Sequence, residues 1–173
     1  MEEEFLDQAI KIFQGQKDLA DKAIAQLSDQ ELYFQPDENS NSVAIIMKHM
    51  AGNMLSRWTN FLTTDGEKPW RDRDNEFIIA DNDAAALKEY WENGWFCTFN
   101  TLAPLTEGDL METVTIRGEE HSVIQAILRQ ISHYGNHVGQ IVYVAKHIKK
   151  SEWKTLSIPR GQSEAYRNNP FKA

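Results

Sequence analysis

"ISHYGNHVGQIVYVAKH", residues 131–147, is the stretch whose reading decides the fold. Its apolar residues recur at helical rather than strand spacing. Just upstream, Ser122 and Gln125 form a capping-box pattern, so one long helix is expected from about Ser122 to Lys149. Ile124, Ile127, Leu128, Ile131, Val138 and Val142 are expected to form its apolar face. His133 and His137 stand four positions apart, about one turn, so both imidazoles leave the same side. At ~100° per residue, Arg129, Gln130, Asn136 and Gln140 share that side. A fully exposed face normally carries Lys and Glu. Histidines, amides and one arginine suit a half-buried cleft, where they can hydrogen-bond without the full penalty of buried charge.

Working outward, three more helices are expected. Residues 4–27 carry Phe5, Ala9, Ile12, Phe13, Ala20, Ala23 and Ile24 at mostly helical spacing. After the loop around Pro36, Asn41 or Ser42 can cap a helix from Val43 to about Leu62, ahead of Gly66 and Pro69. A polar loop from about Thr63 to Asn82 follows. Trp70, Phe77 and Ile78 interrupt it, so it is expected to lie against the body. Asp81–Asp83 signal the N-cap of a third helix, and Pro104 marks its end. Leu87, Tyr90, Trp91, Trp95, Phe99 and Leu102 give it an aromatic stripe. Val114, Thr115 and Ile116 favour strand and Arg117–Glu119 can turn, so a short hairpin or extended segment is expected before the last long helix. The tail, 154–173, is broken by Pro159, Gly161 and Pro170 and is expected to be irregular. The fold class is therefore all-α, a four-helix bundle within one domain, 1–173.

Composition narrows the function. The 173 residues are 41% hydrophobic and 25% charged, with a formal net charge of −8. An acidic chain offers no electrostatic footprint for nucleic acid. No run approaches the ~18 apolar residues of a membrane span. The acidic N-terminus lacks signal-peptide character, and one cysteine, Cys97, fits a reducing compartment, so a cytoplasmic protein is expected. Cys97, among aromatics, is expected to be inert core. Trp58, Trp91, Trp95 and Trp153 are expected in the core or at an interface. His121 is read as exposed loop. His147, in the last helical turn, complements the helix dipole.

His49 is the third histidine in a helix interior. Ser42, Ile45, Ile46, Gly52, Asn53 and Ser56 share its face. In a bundle it can oppose His133 and His137. Three neutral imidazoles with an open fourth position make a zinc site of the catalytic type, and nickel, iron or manganese accept similar ligands. Asn53, Arg57, Asn136 and Gln140 are candidates for orienting those ligands or touching a substrate, and Arg57 or Arg129 can hold a carboxylate. The bland alternative is polar packing, because an i, i+4 histidine pair alone is weak evidence. No nucleotide-binding glycine pattern, nucleophile elbow or H-E-x-x-H occurs. No histidine has a glutamate three positions before it, which removes the di-iron carboxylate reading.

"NSVAIIMKHMAGNMLSRWTNFLTTDGEKPWRDRDNEF" followed by "ILRQISHYGNHVGQIVYVAKH" resembles the DinB/YfiT-like superfamily of four-helix-bundle metal proteins. With the tail "WKTLSIPRGQSEAY", it looks closest to a Bacillus-type subgroup. The resemblance implies up-down-down-up connections and a homodimer. It also implies a divalent metal, zinc or nickel, on His49, His133 and His137. Some relatives transfer low-molecular-weight thiols such as bacillithiol. A metal-dependent thiol S-transferase acting on a small electrophile is therefore the expected function. The alternatives are a metal- or ligand-binding stress-response protein without turnover, and a helical dimerisation protein.

Overall fold

The computed structural model describes residues 2–168, with side chains from Glu4 onward. It is largely helical. The long elements are α1 (Glu2–Ile24), α2 (Val43–Trp58), α3 (Ala84–Leu102) and α4 (Val123–Lys149). A two-stranded antiparallel sheet, β1 (Thr113–Ile116) and β2 (Glu119–Ser122), precedes α4. A six-residue helix, α5 (Ser163–Asn168), interrupts the tail that was expected to be irregular, and residues 169–173 of that tail lie outside the described residues. Among the described residues no helix is long and apolar enough to cross a membrane.

Helix ends follow local chemistry. The Ser42 hydroxyl accepts from Ile45 N–H and opens α2. Asp83 accepts from Ala85 and Ala86 N–H and opens α3. Ser122 and Gln125 complete the capping box of α4. Helix α2 stops at Trp58 rather than near Leu62. Thr59 turns to extended backbone, Asn60 takes a φ of +48°, and the Thr101 hydroxyl of α3 caps the Trp58 carbonyl at 3.0 Å.

Helix α2 is the centre of the molecule. It is buried around almost its whole circumference and packs on α3 and α4, while α1 packs on α4 and α3. Phe13 of α1 is fully buried between the rings of Trp58 and Tyr134, at 6.0 and 5.6 Å. Burying such a side chain contributes about 1.5–3 kcal/mol. Trp91 and Trp95 of α3 meet edge to face at 5.6 Å, as the aromatic stripe predicts. Trp153 is only partly buried against this core.

Helix α4 is rotated from the expected orientation. Its buried side is Val123, Ala126, Ile127, Gln130, Tyr134, Val138, Ile141, Val144 and Ala145, and Leu128 is exposed. The helix wedges between α1 and α2, so its buried arc centres on Tyr134 rather than Ile131. Cys97 is half-buried, with its Sγ 3.7 Å from the Thr59 hydroxyl. His121 lies on β2 opposite Val114 and is half-buried, not exposed loop.

The hairpin turns through Arg117 and Gly118, both with positive φ (57° and 76°). Asp65 clamps this turn from the preceding loop. Its carboxylate accepts from Arg117 N–H at 2.9 Å and Gly118 N–H at 2.7 Å. Burial pushes the Asp65 carboxyl up, but the backbone N–H groups of Glu67, Gly118 and Arg117 outweigh it and bring it down to about 2. A depressed folded pKa stabilises the fold above the unfolded value of 3.8 and is lost as pH falls through about 2. Asp65→Asn is therefore expected to lower stability by about 1 kcal/mol at neutral pH, the solvent screening of this site included. The difference should shrink between about pH 4 and 2. Urea denaturation of both proteins across that range measures it, and a constant gap would count against the clamp.

Candidate metal centre

His49 is set by α2 and His133 and His137 by α4. Helix α2 and helix α4 are pinned together at this level by polar contacts. Gln130 is buried; its Nε2 donates to Asn53 Oδ1 at 2.7 Å and to the Tyr134 hydroxyl at 2.9 Å. Trp58 Nε1 donates to the same hydroxyl at 3.1 Å. Burial raises the Tyr134 pKa well above the ordinary phenol value, so the hydroxyl stays neutral. One ring nitrogen of each histidine then converges with the others, all within 4.8 Å. His133 Nε2 lies 3.4 Å from His49 Nε2 and 3.0 Å from His137 Nε2.

The outer nitrogens show how these rings are held. His49 Nδ1 lies 2.9 Å from Glu76 Oε2. Burial pushes the Glu76 carboxyl up, but its bonds to His49 and Arg71 outweigh this and hold it below the ordinary carboxylate value. An ionised carboxylate only accepts, so His49 Nδ1 donates to Glu76, and Nε2 is the nitrogen turned toward His133. His137 Nδ1 lies 2.9 Å from Gln140 Oε1 and is oriented in the same way. His133 Nδ1 is buried without a partner. Burial, reinforced by the neighbouring His137 and His49, brings the His133 pKa down to about 3, and burial lowers that of His137 as well. His133 Nε2 meets a ring nitrogen on either side, and one shared proton can bridge only one of those two pairs. A divalent cation satisfies all three nitrogens. Zinc–nitrogen bonds of ~2.0–2.1 Å in a tetrahedral site place the nitrogens about 3.3 Å apart. Two of the three separations, 3.0 and 3.4 Å, match that spacing, and the third lies within 4.8 Å.

The loop supplies what spacing along the helices does not show. Arg71 grips Glu76 with two bonds, Nε to Oε1 and Nη2 to Oε2, both 2.8 Å. Arg71 also reaches Glu67 at 3.2 Å, and Phe77 lies over His49 with ring centres 4.9 Å apart. Glu76 and Lys68 are buried, whereas Trp70 and Ile78 are exposed. The loop therefore lies on the body as expected, but its anchors are ion pairs and Phe77 rather than Trp70 and Ile78.

A cleft of about 420 Å³ opens over the three histidines. Asn53, Arg57, Arg129 and Asn136 line it together with His49, His133 and His137, and Gln140 sits behind His137. All eight residues singled out in the sequence thus gather at one place. Arg71, Arg73, Phe77 and Arg117 line the same cleft and were not singled out. Glu76 supports it from behind and was not singled out either.

The model of a family described as protein of unknown function, DUF1572, matches residues 1–162. The chain belongs to the DUF1572 family. DUF1572 lies within the DinB-like superfamily, in keeping with the resemblance drawn from the helix motifs. No curated protein matches the chain. In this DUF1572 protein the family match extends past all three histidines and the loop that braces His49.

Proposed function

We propose that the protein binds one divalent metal ion, zinc or nickel, through His49, His133 and His137 and uses it in chemistry on a small molecule. The observation that carries this reading is the convergence of three imidazole nitrogens on one point at the base of a cleft. A bound ion of this kind lowers the pKa of a coordinated water or thiol. The protein's own groups do the rest. Glu76 and Gln140 hydrogen-bond the outer nitrogens of two of the rings and hold their orientation. The cleft has the volume of a small-molecule site. Asn136 and Ser132 offer it uncharged hydrogen-bonding groups.

Within this reading the reaction is transfer of a low-molecular-weight thiol, such as bacillithiol, to an electrophile. The four long helices are taken as a DinB-like bundle with up-down-down-up connections. The Bacillus-type subgroup and the homodimer follow from the resemblance, and light scattering tests the dimer. The test of function begins with metal analysis of untagged protein, expected to give one ion per chain. Conjugation of chlorodinitrobenzene with added bacillithiol should then be accelerated by the metal-loaded protein and lose that acceleration in EDTA. One ion per chain without turnover would favour a binding protein without catalysis. No metal after zinc or nickel is offered would make the histidines polar packing.

A further inference from the structure

The cleft carries a charge pattern opposite to that of the chain. Arg57, Arg71, Arg73, Arg117 and Arg129 line it, and among the described residues no aspartate or glutamate does. Among the described residues, two carboxylates pair with these guanidinium groups. Glu76 and Glu67 bind Arg71, and Glu67 also reaches Arg117 at 3.3 Å. Arg73 rests on the Phe77 ring, 5.3 Å from its centre. Five guanidinium groups against two carboxylates leave a positive cleft on a protein of net charge −8.

Arg57 is the decisive member. It is 2% exposed, and its Nε and Nη1 are buried with no acceptor. Buried guanidinium nitrogens without an acceptor are a destabilising feature. It stands at the end of α2, two turns beyond His49, on the wall of the same cleft as His133. Arg129, one turn before His133 on α4, lines that wall and pairs with no carboxylate among the described residues. Arg117 is held in left-handed backbone by the hairpin turn, which fixes where its side chain starts.

We propose that the substrate carries an anionic oxygen group, a carboxylate or a phosphate, and that Arg57 with Arg129 holds it beside the three histidines. This rests on the metal-centre reading for its catalytic meaning, but the anion site is a property of the arginines. Planar guanidinium forks bind both anions through paired N–H donors. An anion there satisfies Arg57 and neutralises the excess charge of the cleft. It also fixes one end of a small molecule while its reacting end lies at the histidines.

Calorimetric titration of the zinc-loaded full chain with succinate and with methyl phosphate tests the proposal. Arg57→Met and Arg160→Gln, the latter outside the cleft, are titrated alongside. Binding of at least one anion is expected, weakened roughly tenfold to a hundredfold in Arg57→Met and unchanged in Arg160→Gln. Preference for methyl phosphate assigns a phosphorylated substrate, and preference for succinate a carboxylated one. Arg57→Met should also melt higher than the wild type, because it removes an unpaired buried charge. Equal anion binding by wild type and Arg57→Met overturns the proposal, as does no binding of either anion by the wild type. Metal content measured on the same samples keeps the two readings apart. An Arg57-dependent anion site in protein that holds no zinc sustains the anion site and defeats the metal centre.

Discussion

His133→Ala should abolish stoichiometric metal binding while leaving the fold intact. His133 is the middle ligand, with its Nε2 within 3.4 Å of His49 and 3.0 Å of His137. Without it two imidazoles face a gap. The loss of affinity should exceed the ~10–100-fold that follows from disturbing a group behind a ligand. The fold should survive, because His133 makes no hydrogen bond through its buried Nδ1 that the rest of the protein would miss. In wild type, zinc at about 100 times its Kd should add about 2.7 kcal/mol of stability, and the variant should lose that gain. His49→Ala should lose the metal equally but also lower the stability of the metal-free protein, since it strips Glu76 of one of its partners. Competition with a chromophoric chelator and thermal melts with and without zinc separate these outcomes. A His133→Ala protein that keeps one tightly held ion would remove His133 from the site.

Local signals in the sequence carried the helices and half of the site. The Ser122–Gln125 capping pair is written within three residues, Ser42 is one of the two expected caps of α2, and each opens its helix where expected. The faces of α2 and α4 follow from 3.6 residues per turn, so His49, Asn53, His133 and His137 could be grouped before any fold was known. What failed was decided at a distance. Leu128 seemed to belong to an apolar face, but α1 and α2 together select the arc around Tyr134. His121 is drawn into a strand by pairing with Val114. Helix α2 ends early because a threonine on α3 caps it. Glu76 and Arg71 had no local signal at all. They lie in a loop without periodicity, among seven charged residues between Glu67 and Glu76, and only the tertiary fold picks out the pair that is buried. The one sequence hint was Gly52, on the His49 face, whose meaning appears only when Glu76 is seen against it.

Glu76→Gln should be strongly destabilising despite its conservative shape. The Glu76 carboxylate is 5% exposed and accepts three bonds, one from His49 Nδ1 at 2.9 Å and two from Arg71 at 2.8 Å. A glutamine keeps the shape but replaces one acceptor oxygen with a donor, which must face either Arg71 or His49. Arg71 stays protonated, its pKa held above the ordinary value by Glu76 and Glu67 despite burial, and would be left partly unpaired. Breaking a buried pair in this way costs about 3–5 kcal/mol. The same change frees the His49 ring to rotate, so metal affinity should fall by about 10–100-fold. Gly52→Ala approaches the same point without altering charge, because a Cβ there would run into Glu76 Oε1. The two variants should therefore share one phenotype. Melting temperature and zinc affinity should drop together, and amide exchange should quicken around Asp74–Phe77, where the loop meets α2. Glu67→Gln, whose carboxylate is 24% exposed and meets Arg71 at 3.2 Å, should be much milder. If Glu76→Gln melted and bound zinc like the wild type, the buried ion pair would be incidental, and the orientation of His49 would have to come from other contacts such as the tilted Phe77 ring.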